Sequence, residues 1–114
     1  MNEDVKNYID KYSSEIKELY IKLRTLINTS VSQKVEEKLW AKLPSYYVEE
    51  NFVRIIPFKD HINIEATEVI KYKNELNGFK ITPKGMLQIY LNQDVPLDVL
   101  EQIFKETFKE TLLK

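Results

Sequence analysis

The chain has 114 residues, 17 Lys and Arg against 18 Asp and Glu, a formal charge of −1 and no cysteine. That length reads as one domain over residues 1–114, able to bury roughly two-thirds of its unfolded surface. Without cysteine there are no disulfides, thiolate metal sites or Cys nucleophiles, which suits a reducing compartment. The polar start Met1-Asn2-Glu3-Asp4 has no apolar run behind it, and nothing approaches the ~20 apolar residues of a membrane span. A cytoplasmic protein with no membrane partner is therefore expected. Both signs of charge are interspersed without a basic excess, so no nucleic-acid partner is expected either.

Val5, Tyr8, Ile9 and Tyr12 recur at i, i+3, i+4 and i+7, predicting a short helix over residues 3–12 with Glu3 and Asp4 in its first turn. Ser13-Ser14 breaks it and caps a second helix to Asn28, built on Ile16, Leu19, Tyr20, Leu23, Leu26 and Ile27. Glu18 and Lys22 are spaced there for an i, i+4 ion pair. Ser32 is expected to cap one further turn through Glu37.

Residues 38–65 are the stretch around which the rest is organised, dense in β-branched and aromatic residues and free of glycine. A first strand over 38–43 sets Leu39, Ala41 and Leu43 on one face and Trp40 between lysines on the other, and Pro44 stops it. Tyr46-Tyr47-Val48 follows, then a polar turn at Glu49-Glu50-Asn51. Strands over 52–58 and 61–65 join at Lys59-Asp60, with Ile62 and Ile64 facing opposite to His61, Asn63 and Glu65.

Thr67 is expected to cap a short helix to Leu76, closed at Asn77-Gly78. Phe79-Lys80-Ile81 reads as a short extended piece and Pro83-Lys84-Gly85 as a turn. A last strand over 86–91 points Leu87, Ile89 and Leu91 inward. Pro96 then opens a closing helix whose apolar face carries Leu97, Leu100, Ile103, Phe104, Thr107 and Phe108. The sum is an α+β fold: an antiparallel sheet of about five strands, with N- and C-terminal helices packed on the face that bears Leu39, Ala41, Leu43, Ile62, Ile64, Leu87, Ile89 and Leu91.

Three stretches carry a pattern together. They are Glu37-Lys38-Leu39-Trp40-Ala41-Lys42-Leu43-Pro44-Ser45-Tyr46-Tyr47, Phe58-Lys59-Asp60-His61-Ile62-Asn63-Ile64 and Thr82-Pro83-Lys84-Gly85-Met86-Leu87-Gln88-Ile89, followed by Pro96-Leu97. In order and spacing, over nearly the whole chain, they resemble the YdhG-like family of small bacterial domains mostly of unknown function. The resemblance implies a frataxin-like architecture. Because one member line is described as an iron chaperone, it also implies iron as cargo and iron–sulfur or haem assembly proteins as partners. Two departures weaken the transfer: Ala41-Lys42-Leu43 stands where members often have Tyr-Gly-Met, and Thr107 stands where an arginine is common in the last helix.

Three functional readings follow. Iron handling needs clustered hard oxygen ligands, and the candidates are Glu3, Asp4, Asp10, Glu15 and Glu18, with Glu36, Glu37, Glu49 and Glu50 near the first strands. Interleaved lysines (Lys6, Lys11, Lys17, Lys34, Lys38) neutralise much of that field. A recognition surface on the open face of the sheet would use Trp40, Tyr46 or Tyr47, Lys59, His61, Asn63, Lys84, Gln88 and Tyr90, an aromatic set with amide and cationic groups. Catalysis at His61, the single histidine, lacks a neighbouring nucleophile, and alternation turns Asp60 away from it. A non-enzymatic binding role is expected, with the oligomeric state left open.

Overall fold

The computed structural model describes residues 1–109. In chain order it contains α1 (Glu3–Ile9), α2 (Ser14–Ser30), β1 (Glu36–Trp40), β2 (Leu43–Val48), β3 (Asn51–Pro57) and β4 (His61–Glu65). A 3₁₀ helix (Ile70–Glu75), β5 (Lys80–Ile81), β6 (Leu87–Tyr90) and α3 (Leu97–Thr107) complete it. The fold is α+β. All strands pair antiparallel in one open sheet of six, ordered β1-β2-β3-β4-β6-β5, with the extended piece at Lys80–Ile81 as the second edge.

Side-chain caps start the first two helices. The Asn2 side chain accepts from the amides of Asp4 and Val5 at 2.8 and 3.1 Å, and Ser13 Oγ accepts from Ile16 N–H at 3.2 Å. Ile16, Tyr20, Leu23 and Ile27 recur at helical spacing on α2 and are fully buried. That stripe lies over β3 and β4 and packs against α3, whose Leu100, Ile103 and Phe104 enter the same core. Each aliphatic side chain in it gains about 2 kcal/mol by leaving water. The short α1 lies beside β1, burying Val5 and Ile9.

Cross-strand register separates the two faces of the sheet. Beneath the helices lie Tyr46 opposite Val53, Ile55 opposite Ile64, Ile64 opposite Leu87, and Ile62 opposite Ile89, all fully buried. By alternation the other face carries Trp40, Leu43, Tyr47, Phe52, Arg54, His61, Asn63, Gln88 and Tyr90.

Several local expectations give way. The strand expected over 38–43 is two strands joined by a two-residue turn, Ala41 at φ 51° and Lys42 at φ 67°, both left-handed as a type I′ hairpin demands. The turn resets the alternation. Leu43 pairs with Trp40 and joins the open face, and Ala41 sits exposed in the turn. Leu91 lies past the end of β6 and is also exposed.

Pro44 does not stop a strand but lies within β2, opposite Leu39. The β2–β3 ladder begins only at Ser45 opposite Arg54, so the missing N–H faces no partner strand. No helical turn follows Ser32: the chain leaves α2 extended at Val31 and runs into β1 at Glu36. The helix expected from Thr67 is a 3₁₀ segment without a side-chain cap, broken at Tyr72 (φ −103°). The Tyr72 hydroxyl donates to Glu106 on α3, so a tertiary anchor rather than local propensity shapes this connection.

Candidate functional site

The open face has Arg54 at its centre. Its guanidinium lies 4.5 Å from the Trp40 ring centroid and 4.1 Å from that of Phe52. Nη1 donates to Glu65 Oε1 at 2.9 Å, and Nε donates to Ser45 Oγ at 3.2 Å. Register explains the cluster: Ser45, Arg54 and Glu65 are directly opposite one another on β2, β3 and β4. Arg54 is 8 % exposed on a face that no helix covers among the described residues, because the two aromatic rings and its own partners enclose it. Trp40 itself is 51 % exposed.

Around that centre, Tyr47 packs beside Phe52 at 5.8 Å between ring centroids, and Lys38 Nζ sits 4.7 Å over the Tyr47 ring. Toward β6, the His61 ring lies between Phe58 and Tyr90, 4.7 and 4.6 Å away and close to parallel. Trp40 and His61 share the face, three inter-strand spacings apart, or roughly 14 Å measured across the strands. Asn63 is nearly buried here. Its amide nitrogen lies 3.9 Å from Met86 Sδ, and its Oδ1 has no partner.

The other surface candidates distribute differently. Gln88 is paired with Asn63 and Tyr90 with His61, so both join the face. Lys59 and Lys84 are exposed in turns at opposite ends of the strands, one beside His61 and the other beside Leu87. Tyr46 does not join. It is fully buried on the covered face, where its hydroxyl meets that of Tyr20 and donates to Glu37 Oε2 at 2.8 Å.

Asp60 also departs from expectation. Its carboxylate lies 2.8 Å from His61 Nδ1, because Asp60 belongs to the turn, where strand alternation does not apply. The His61 contact holds the Asp60 carboxyl below the usual carboxylate value.

A second Arg–Glu pair lies on the covered side of the same sheet. Arg24 on α2 donates to both oxygens of Glu37 on β1, which also accepts from the Asn2 backbone amide at 2.7 Å. Burial pushes the Glu37 carboxyl up, but the bonds from Arg24, Asn2 and Tyr46 outweigh it and hold it low. Burial also raises Tyr20 and Tyr46 well above the ordinary phenol value.

The acidic candidates for iron do not gather. Glu3 and Asp4 sit in the first turn of α1, Asp10 is taken by Lys6 at 3.0 Å and Lys17 at 3.9 Å, and Glu15 and Glu18 border a groove beside α2. Among the described residues no group of three or more His, Cys, Asp or Glu could hold a metal ion. Among them, too, no helix is long and apolar enough to cross a membrane.

Arg54 was the residue that pattern reading passed over, although a signal existed. It is the single charge in the run Phe52-Val53-Arg54-Ile55-Ile56-Pro57, and alternation sets it with Phe52, opposite Val53 and Ile55.

No protein-family model matches the chain, no curated protein matches it, and no solved structure matches it.

Proposed function

We propose that the chain is a non-enzymatic recognition module that binds a partner or small ligand with the open face of its sheet. One observation carries this reading: a half-exposed tryptophan layered on an enclosed arginine, on the sheet face opposite the one that the described helices cover. Trp, Tyr and Arg dominate the energetics of protein interfaces, because each offers a large, stiff contact area with a polar handle. Arg54 is held against two rings and by two hydrogen bonds, so Trp40 is already oriented before a partner arrives. Phe58, 42 % exposed and stacked on His61, supplies a second anchor on the same surface. The cysteine-free composition fits a reducing compartment, and the proposal places the module there.

The test is affinity capture from the soluble extract of native cells, using immobilised wild type, Trp40→Ala with Phe58→Ala, and Ile21→Ala on the helical side as control. Species retained by wild type and control but lost from the double variant support the open face. Identical retention by all three would remove it. Circular dichroism of each variant separates a lost surface from a lost fold.

A further inference from the structure

We infer that the groove between the first half of α2 and the β6–α3 connection docks a lysine- or arginine-rich amphipathic segment of a partner protein. The groove measures about 550 Å³. One wall is a stripe of α2: Glu15, Glu18, Leu19 and Lys22 stand three or four residues apart and so face the same way. The opposite wall carries Leu91, Asp94 and Leu97. Leu91 and Leu97 are 38 % and 43 % exposed, an apolar floor left open to solvent beside a well-packed core.

The charges on this rim select the occupant. Three carboxylates face one ammonium, a surplus of two negative charges. The carboxylates of Glu15, Glu18 and Asp94 make no ion pair or hydrogen bond among the described residues, and the Glu18–Lys22 pair that spacing allows does not form. Four other carboxylates, Asp10, Glu37, Glu65 and Glu106, are already taken by cations.

The three do not converge on one ion either, since no metal-holding group exists among the described residues. Carboxylates spread along an apolar trough match cations spread along a peptide whose opposite side is apolar. Leu19, Leu91 and Leu97 would take the apolar side chains, and the rim would take the ammonium or guanidinium groups.

The experiment measures fluorescence anisotropy of a labelled leucine–lysine amphipathic peptide against the full chain. A glutamate-for-lysine version of the peptide is the control ligand. Wild type should bind the cationic peptide and not the anionic one, with affinity falling as salt rises. Glu15→Lys with Glu18→Lys should weaken binding about tenfold or more, and Leu97→Ser about fivefold. Glu49→Lys with Glu50→Lys, which makes the same charge change at the β2–β3 turn, should weaken it by less than about twofold. Equal losses in the two charge-reversal variants would show general attraction to an acidic surface and overturn the site, as would no binding by wild type. Trp40→Ala should leave peptide binding unchanged, so the groove and the open face stand or fall separately.

Discussion

The sheet carries one Arg–Glu pair on each side, and the two differ chiefly in what lies over them. Arg24–Glu37 sits under α2 and binds α1, α2, β1 and β2 into one network through Asn2, Tyr46 and Tyr20. Arg54–Glu65 spans only neighbouring strands and is roofed by the side chains of Trp40 and Phe52. The carboxylate side chain is 11 % exposed in the first pair and 31 % in the second. The same chemistry therefore works as a staple where helices exclude water and as a support for exposed rings where they do not.

The sharpest break in this comparison is Glu37→Ala. It leaves the Arg24 charge, the Tyr46 hydroxyl and the Asn2 backbone amide without their acceptor, and should cost about 3 kcal/mol in urea unfolding. A cost below about 1 kcal/mol would mean the covered pair is no more structural than the open one.

The tyrosines offer a pH route to the same point. Tyr20 and Tyr46 are raised in the folded chain above the ordinary value of 10.0, so their contribution is complete below pH 10. It is lost as pH climbs above that value, each group withdrawing up to about 1.4 kcal/mol per pH unit. A Tyr20→Phe, Tyr46→Phe double variant should show a flatter stability profile above pH 10. An unchanged slope would place the alkaline loss elsewhere.

On the open side, Arg54→Met keeps most of the volume and should cost only about 1 kcal/mol, because Glu65 can turn to water. The emission of Trp40, the single tryptophan, should shift as its cationic neighbour disappears. A loss as large as that for Glu37→Ala would make both pairs structural.

The smallest expected effect is a gain. Replacing Ala41-Lys42 by Asn-Gly suits both left-handed positions of the hairpin and should add about 0.5–1 kcal/mol, read as a higher thermal midpoint.

Alternation made part of this architecture legible. Ile62 and Ile64 against His61 and Asn63, and Leu87 and Ile89 against Gln88 and Tyr90, fall on opposite faces as their spacing requires. The reading failed where a turn lacked its usual residues. Ala41-Lys42 has neither glycine nor asparagine, so alternation runs a single strand through the hairpin and puts Leu43 on the wrong side. The Glu37 network was illegible for another reason: its members are 13 or more residues from Glu37 (Arg24, Asn2) or from each other (Tyr20, Tyr46), and only the packed fold brings them together.

Glu37 and Tyr46 occupy a non-hydrogen-bonded position of the β1–β2 ladder, so the Glu37 carbonyl looks outward from the sheet margin, and the Asn2 amide reaches it at 3.3 Å. The seven-residue first helix thereby guards a margin that could otherwise recruit a strand from another molecule into a growing aggregate. Fraying of that one turn would be enough to uncover it, and light scattering from an Asn2→Ala variant on mild warming would register the loss.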